Sequence, residues 1–463
     1  MKTSIPEQRR KNSRDKVIPH MRPRIALLIG CSAALSVSQP AIKVDVRQVI
    51  VPVVVTDKKS HHVTGLHASD FQVYDDGILQ DIAAFATELT PLPADFATIA
   101  GLPPAASPSM ADASQVPASP RRTYVICLDT LHSSFSSFIR TQQALEKLFS
   151  HDQGTDSQYV LVDLGRQLRV IQTATTDPST ILARLRSKAF AQAIMDTEAT
   201  SLAAEIGTLK YRLEDLCRTK CACGPGRSSL AKNCLAEKER LKQSIDGQTE
   251  RTAALTRNFL AELKRLIEEI GALPTRRTII LVSDGFTLSP GRELYGIVAA
   301  YFPQNSEFKQ DPPEHMEPYL QEALNTASRR NVTIYTIDSR GVSNPAFSGG
   351  GASDAGMSSN SAANRGGGTL SDLDRHANSI AWENGSGMAH LAQATGGVYY
   401  HNNNDLLRGL YDALADGREY YVLAYVPKNS IPDGKFHRIT VELSDKKLNV
   451  RAKSGYWADS RFP

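Results

Sequence analysis

The chain has 463 residues, of which 41% are hydrophobic and 22% are charged. This composition is ordinary for a soluble globular protein and leaves room for two or three domains. The formal net charge is only +4, and much of the positive excess lies at the extreme N-terminus. Because no basic patch is interleaved with aromatic residues, the sequence gives no support to nucleic-acid binding.

The N-terminus resembles an export signal in its order of residue types. Basic residues precede an apolar run, Ile25–Ser38, which is short for a membrane span and typical of a signal-peptide core. We therefore predict a signal peptide over residues 1–38, with Met21 as a possible start. Cys31 also fits a bacterial lipoprotein box, so lipidation at Cys31 stays open beside cleavage near Ser38. No later stretch is apolar enough to cross a membrane, so we expect a periplasmic, secreted or outer-envelope protein.

Residues 43–88 are predicted to form a small β segment. Val44–Thr56 is rich in Val and Ile, and its Pro52 favours an edge strand or a bulge. Asp70–Asp75 alternates as a strand, and Asp76-Gly77 is a hairpin turn signal. Residues 89–122 contain seven prolines among Ala and Ser, which predicts an extended linker.

Residues 123–417 alternate apolar runs with helical patterns, which predicts an α/β domain around a mostly parallel sheet. Three buried-type strands are each followed at once or closely by an aspartate: Asp129, Asp284 and Asp338. The carboxyl edge of such a sheet is where ligands bind, and converging carboxylates would suit a hard divalent cation. The alternative stays open for each residue, since aspartate after a strand is often a turn former or a helix N-cap.

A long, charged helical segment at residues 190–270 interrupts this alternation and is predicted to be an inserted helical hairpin. It carries four of the six cysteines: Cys217, Cys221, Cys223 and Cys234. An even cluster in an exported chain predicts two disulfides. A four-cysteine zinc site is the alternative, although Cys-x3-Cys-x-Cys-x10-Cys lacks the paired Cys-x2-Cys spacing. Residues 348–368 form a Gly/Ser/Asn tract that is predicted to be disordered.

Residues 419–457 are predicted to form a C-terminal β segment. Tyr420–Val426 is the first strand, and two more follow the turn at Asp433. Too few strands are present at either end of the chain to bury a face alone. We therefore predict that residues 43–88 and 419–457 pack together as one β domain, although they lie far apart in sequence.

Several short segments share motifs with one known family. They are Val51–Asp57, Gly65–Gly77, Leu391–Gly397, Tyr421–Pro427, Asp433–Phe436, Val450-Arg451 and Gly455-Tyr456. With these segments the chain resembles the acidobacterial von Willebrand factor type A (VWFA)-related domain family over roughly residues 43–457, apart from the linker, the insertion and the glycine tract. The resemblance implies an exported protein with a Rossmann-like von Willebrand factor A domain and no settled biochemical activity.

The same resemblance implies a metal site of the adhesion type. Metal-binding A domains use Asp-x-Ser-x-Ser after the first strand, a Thr from a middle loop and an Asp after the fourth strand. Asp129, Ser133 and Asp284 match three of these positions, whereas Leu131 replaces the first serine and the middle Thr is not placed. The resemblance therefore implies a degraded site that binds Mg²⁺ or Mn²⁺ weakly. Neighbours that could compensate for the missing ligand are Thr130, His132 and Ser134.

The leading hypothesis is an exported, non-enzymatic module that binds a protein or a cell-envelope component through the sheet edge near Asp129 and Asp284. The alternative is a structural envelope scaffold that binds neither metal nor ligand. An enzyme is not predicted, because the sequence contains no Gly-x-Ser-x-Gly elbow, no His-Glu-x2-His and no phosphate loop. Ser133 and His132 are not expected to form a triad, since neighbours on one loop seldom point at each other. The sequence identifies neither the partner nor the oligomeric state.

Overall fold

The computed structural model describes residues 48–89, 122–151, 156–188, 190, 202–221, 223, 232–273, 275–302, 315–342, 385–428 and 433–458. Three sequence predictions lie outside these ranges: the signal peptide at 1–38 with Cys31, the linker through residue 121, and the tract at 348–368. Among the helices in the described ranges, none combines the length and the apolar character that a membrane span requires.

The described chain starts with β1 (Val49–Thr56), β2 (Phe71–Asp75), β3 (Ile78–Gln80) and β4 (Ile82–Leu89). The α/β part then contains β5 (Arg122–Leu128), α1 (Phe135–His151), β6 (Ser157–Leu164), β7 (Leu168–Thr175), α2 (Pro178–Leu185), α3 (Leu202–Thr219), α4 (Lys232–Ile270), β8 (Arg276–Ser283), α5 (Arg292–Tyr301), α6 (Glu317–Arg330), β9 (Val332–Asp338), α7 (385–395), β10 (Tyr399–Tyr400) and α8 (Leu406–Asp416). The chain returns as β11 (Glu419–Tyr425), β12 (Phe436–Leu443), β13 (Asn449–Ala452) and β14 (Gly455–Trp457).

The central sheet has six strands in the order β10-β9-β8-β5-β6-β7. All neighbours pair in parallel except β6 and the antiparallel edge strand β7. Every residue of β5 is buried, because alternate side chains enter cores on opposite faces of the sheet. Tyr124 and Ile126 pack with α1, α2 and α8, whereas Val125 and Cys127 pack with α4, α6 and α7. The predicted fold class, a Rossmann-like α/β domain with an added β domain, is confirmed.

The last helix of the predicted helical hairpin insertion, residues 190–270, also contributes to the α/β core. The C-terminal part of α4 covers the central sheet. Phe259, Leu263 and Ile267 of α4 are fully buried in the same core as the β5 and β8 side chains. The sequence pattern concealed this change because α4 is a single helix of 39 residues, whose first part packs on α3 and whose second part packs on the sheet.

The segment between the inserted helices carries two disulfides, Cys217–Cys223 and Cys221–Cys234. The prediction of disulfides among these four cysteines is confirmed, and the pairing leaves none of them as a thiolate ligand for zinc. Cys217–Cys223 links the end of α3 to the segment that follows it, and Cys221–Cys234 links that segment to the start of α4. Buried leucines of both helices, together with Tyr295 of α5, form a separate core around them.

The two ends of the chain together form the β domain. β1 and β4 join β11 and β13 in a sheet of order β13-β1-β11-β4, while β2 and β3 join β12 and β14 in a sheet of order β14-β12-β2-β3. Both sheets bury their side chains in one core. β1 is therefore not the edge strand that Pro52 favoured. The proline is tolerated because β13 pairs only with Val53–Thr56, so that Pro52 pairs with Val422 of β11 alone.

A buried ion network connects the β domain to the end of α8. The Asp416 carboxylate lies 2.7 Å from His62 Nε2 and accepts a hydrogen bond of 2.8 Å from Arg451 Nη2. Glu419 lies 3.9 Å from the other ring nitrogen of His62. Since His62 follows β1 and Arg451 lies in β13, one carboxylate of the α/β part holds both ends of the chain.

This network predicts a pH dependence of stability. Burial alone would lower the pKa of His62, but the hydrogen bond and the charge of Asp416 outweigh burial, so the pKa of His62 lies above its ordinary value of 6.5. The stabilisation is then complete below pH 6.5 and is lost as the pH rises through the folded-state pKa. We expect the free-energy difference between the wild type and His62→Gln, from urea denaturation, to be larger at pH 6 than at pH 8.5. The exposed His67→Gln serves as the control, and a difference that is independent of pH for His62→Gln would contradict the argument.

Candidate functional site

The predicted site lies where β5 and β8 end side by side. These strands pair in parallel, with Leu128 opposite Val282. The chain therefore carries Asp129 and Asp284 to the same edge of the sheet, as the sequence predicts for adjacent central strands. The backbone N–H of Asp129 also donates to the carbonyl of Val282 at 3.0 Å, which extends the pairing into the turn.

The Asp129 carboxylate is almost completely buried, with 2% of the residue exposed. Oδ1 accepts hydrogen bonds of 3.0 Å from the backbone N–H groups of Leu131 and His132. Oδ2 accepts a 2.6 Å hydrogen bond from Ser283 Oγ and lies 3.0 Å from His132 Nδ1. That nitrogen is the donor when the carboxylate is ionised, since an ionised carboxylate only accepts. The protein itself thus satisfies the Asp129 carboxylate.

The Asp284 carboxylate is half-buried and also receives donors from several elements. Oδ2 accepts from the backbone N–H of Ser134 at 2.9 Å and from Ser137 Oγ at 3.0 Å. Oδ1 accepts from Ser339 Oγ at 2.7 Å. The Asp284 backbone N–H donates to Ser133 Oγ at 3.2 Å. Asp284 therefore binds the loop after β5, the first turn of α1 and the loop after β9 together.

The pairing of β5 with β8 brings Asp129, Ser133 and Asp284 to one edge of the sheet. Protein donors already occupy the carboxylate oxygens of both aspartates, so these oxygens are not free for a cation. Asp129 would have to lose a protein donor before it could bind a metal directly. Leu131, at the position of the missing serine, packs against the core below the sheet. These residues therefore do not fit a tight metal site.

The three neighbours named as compensating ligands have other contacts. Thr130 Oγ1 donates to Asp163, which also binds Arg169. The His132 ring contacts Asp129 and packs edge-on against Phe259, with ring centroids 5.0 Å apart. Ser134 reaches Asp284 through its backbone N–H, whereas its hydroxyl contacts the hydroxyls of Ser136 and Ser137.

Sequence reasoning did not identify the remaining polar groups of this edge, Ser137 and Ser339. Ser339 follows β9, whose Asp338 pairs in register with Ser283, so an extra polar residue after that strand was a usable signal. Ser137 lies in the first turn of α1, and only the exact start of the helix determines which way its side chain points. Asp338 itself is held by Arg340 and does not join the Asp129 and Asp284 contacts.

Two apolar side chains stand exposed beside the polar cluster. Phe135, directly after Ser134, is 49% exposed, and Val342, in the loop after β9, is 54% exposed. The two loops are tied together, because Arg140 Nη1 of α1 donates to the carbonyl of Arg340 at 2.7 Å. The half-buried Asp284 carboxylate thus lies near two segments that share a hydrogen bond, one presenting Phe135 at the start of α1 and the other presenting Val342.

Solved structures that match part of this chain include a von Willebrand factor domain. An aerotolerance-related membrane protein from Bacteroides fragilis is 10% identical, with 64% of this chain and 98% of that chain covered and a TM-score of 0.28. BatB from Bacteroides thetaiotaomicron is 11% identical over 64% and 98% of the two chains, with a TM-score of 0.27. The von Willebrand factor domain of the pilus tip protein Mfa5 from Porphyromonas gingivalis is 10% identical over 64% and 95%, with a TM-score of 0.22.

No protein-family model matches the chain, and no curated protein matches it in sequence. With identities of 10–11% and TM-scores below 0.5, these similarities to solved structures assign neither a family nor a function to this chain.

Proposed function

We propose that the chain is an exported, non-enzymatic module of the acidobacterial von Willebrand factor A-related family. In this proposal it binds another protein or a cell-envelope component through the carboxyl edge of the central sheet. The observation that carries the proposal is the half-buried Asp284 near the exposed Phe135 and Val342. Its carboxylate accepts hydrogen bonds from the loop after β5, the first turn of α1 and the loop after β9. The two disulfides support the export, since such bonds persist in oxidising compartments.

The composition of this edge supports protein binding. Interfaces combine apolar anchors with polar groups that fix orientation. Phe135 and Val342 supply exposed apolar surface, and the Asp284 carboxylate and the Ser133 hydroxyl supply polar contacts. Because loops from three strands are cross-linked through Asp284, little ordering of the surface is needed on binding, which favours affinity.

The arrangement around Asp129 supports the absence of catalysis. The Ser283 hydroxyl donates a hydrogen bond to the Asp129 carboxylate, and His132 contacts the same carboxylate. A nucleophilic serine would instead donate to the imidazole. The other nitrogen of His132 is buried and has no hydrogen-bond partner among the described residues, so it is not positioned to relay a proton.

The test of the proposal is capture of a partner from a cell-envelope fraction of the source organism. The wild type, the double variant Phe135→Ser with Val342→Ser, and the control Tyr211→Ser are used as bait. Tyr211 is an equally suitable exposed apolar residue, but it lies on α3 of the insertion. We expect the wild type and Tyr211→Ser to capture the same protein. The amount captured by the double variant should be lower by about tenfold or more. Equal retention by all three baits would contradict an interface at this edge.

Metal dependence is expected to be small. The proposal includes only weak, millimolar binding of Mg²⁺ or Mn²⁺, because a cation has to displace donors from Asp129 and Asp284. At 10 mM Mg²⁺ we expect the free energy of unfolding to rise by at most about 1 kcal/mol, and Asp284→Ala should abolish the rise. The exposed Asp445→Ala is the matched control and should keep it. A gain above about 3 kcal/mol would show a tight site, and a gain that survives in Asp284→Ala would place the ion elsewhere.

A structural scaffold without metal or ligand binding is the second candidate. The observation in its favour is the Asp129 carboxylate, which follows β5. It accepts hydrogen bonds from Ser283 at the end of β8 and from Leu131 in the following loop, and so already has a structural role. The two candidates differ in the capture experiment, because a scaffold would show no dependence on Phe135 and Val342.

A further inference from the structure

A second cluster of polar side chains lies in the β domain, at the turn between β2 and β3. Asp75 ends β2, Asp76 begins the turn, and His437 lies on the neighbouring strand β12. One oxygen from each carboxylate and one nitrogen of the imidazole all lie within 4.8 Å of one another. This cluster is separate from the sheet edge described above and has no part in the proposed function.

Each carboxylate of the cluster is held by one oxygen and offers the other. Asp75 Oδ2 accepts hydrogen bonds of 2.9 Å from the hydroxyls of Tyr425 and Tyr456. Asp76 Oδ1 accepts a 2.8 Å hydrogen bond from the backbone N–H of Arg438. The other two oxygens face His437 Nδ1, at 3.6 Å for Asp75 Oδ1 and 3.0 Å for Asp76 Oδ2.

The imidazole of His437 is oriented by contacts on its far side. Its Nε2 lies 3.2 Å from Asp433 Oδ1, and its ring stacks on Tyr456 with centroids 5.2 Å apart. A hydrogen bond from Nε2–H to a carboxylate leaves the lone pair on Nδ1, which is the usual arrangement of a metal-ligating histidine. The ligand nitrogen therefore points at the two available oxygens.

The oxygen that distinguishes this cluster from an ordinary ion pair is Asp75 Oδ1. Asp75 is only 6% exposed, and within the described chain its Oδ1 is buried without a hydrogen-bond partner. A protonated His437 would satisfy Asp76, but at 3.6 Å it is too far to donate to Asp75. Buried carboxylate oxygens are costly when unpaired and are usually paired or bound to a metal.

We propose that Asp75, Asp76 and His437 form a binding site for a divalent transition-metal ion such as Zn²⁺. Two carboxylate oxygens and an imidazole nitrogen match the ligands of zinc sites that keep an open position for water. Ligands about 2.1 Å from a tetrahedral ion lie about 3.4 Å from each other, and the two distances to Nδ1 are 3.0 and 3.6 Å. Asp76 is exposed, so the ion exchanges with solvent.

The site joins segments from both ends of the chain. Its ligands come from the β2–β3 turn and β12, and the groups that orient them come from β11, from β14 and from Asp433. Asp75, Asp76, Tyr425, Asp433 and Tyr456 lie in the short segments that resemble the von Willebrand factor A-related family, and His437 directly follows one of those segments. A bound ion would therefore hold the N-terminal hairpin against the C-terminal strands and stabilise the β domain.

The test is calorimetric titration of the full chain with ZnCl₂ after treatment with chelator and dialysis. We expect one equivalent to bind to the wild type, with the affinity reduced by more than about tenfold in His437→Gln and in Asp76→Asn. Asp76 is exposed and has a φ of 48°, a conformation that asparagine also adopts. Asp76→Asn is therefore expected to fold, and it tests the site even if His437→Gln does not fold. Zn²⁺ should also raise the thermal midpoint of the wild type and leave that of the two variants unchanged.

Two control variants separate this site from others. His61→Gln removes a histidine that is also near an aspartate, with 3.1 Å between Nδ1 and Asp57 Oδ2, and should bind Zn²⁺ like the wild type. Asp284→Ala should do the same, which keeps the result independent of the sheet edge. The proposal is overturned if the wild type binds no Zn²⁺, or if both His437→Gln and Asp76→Asn bind it with unchanged affinity.

Discussion

Replacing Asp416 by asparagine is expected to lower the free energy of unfolding by about 3 to 5 kcal/mol. The Asp416 side chain is 3% exposed and contacts His62 and Arg451. Burial alone would raise the pKa of Asp416, but Arg451 and His62 outweigh burial and hold the pKa below its ordinary value of 3.8. Asparagine removes the negative charge and leaves the half-buried His62 and Arg451 without their carboxylate partner. Removing one partner of such an ion network is strongly destabilising.

The measurement is urea denaturation at pH 7, with Asp215→Asn as the matched control. The Asp215 side chain is 47% exposed and pairs with Arg218 on the surface of α3, so its replacement should change stability by no more than about 0.5 kcal/mol. Because the folded-state pKa of Asp416 is depressed, its contribution is present above pH 3.8 and is lost as the pH falls through the folded pKa. A loss below about 1 kcal/mol at pH 7 would show that the network does not join the two parts of the fold.

Gly397→Ala is expected to destabilise the protein by about 3 kcal/mol or more, since overpacking against backbone cannot be relieved by side-chain movement. Gly397 follows α7, and a Cβ atom there would lie 2.0 Å from the carbonyl oxygen of Ile334 in β9. The close approach lets β10 pair with β9 at the edge of the central sheet. The added methyl group would force the two segments apart.

The matched control is the same substitution at Gly247, within α4. A Cβ atom at Gly247 meets no heavy atom within 4 Å, and alanine is the better helix former. We therefore expect Gly247→Ala to stabilise the protein by about 0.5 to 1 kcal/mol. Thermal or urea denaturation should show effects of opposite sign. Equal effects at the two positions would mean that the close approach at Gly397 is not what requires glycine.

The sequence predicts the parts of the fold in which a strand's own residues determine whether its two faces are buried. Val125–Leu128 and Ile279–Val282 are apolar throughout, and such runs are stable only with both faces buried. The strand order that the family resemblance implies then predicts that Asp129 and Asp284 follow adjacent strands. The long α4 was harder to predict, because a continuous helix carries no local mark of the point where its packing partner changes.

The sequence did not predict that protein donors already occupy the carboxylates of the candidate site. These contacts depend on the conformation of the loop after β5. The backbone N–H groups of Leu131 and His132 determine whether the Asp129 carboxylate can bind a cation. A sequence motif gives residue types and not the direction of backbone N–H groups, so it does not show these contacts. The cluster of Asp75, Asp76 and His437 was missed for a related reason. The Asp76-Gly77 pair is a good turn signal, and nothing local indicates that β12 delivers a histidine to that turn.

The position of β1 between β11 and β13 has a consequence for biosynthesis. A ribosome makes β1 to β4 before β11, β12 and β13, which pair with β1, β2 and β4 and lie more than three hundred positions downstream. At ordinary translation rates this gap corresponds to tens of seconds. During that interval the early strands present unpaired backbone groups and apolar side chains, which is the condition that promotes aggregation. A holding chaperone is therefore expected to engage this segment of the nascent chain, and slowing translation after β4 should increase that engagement.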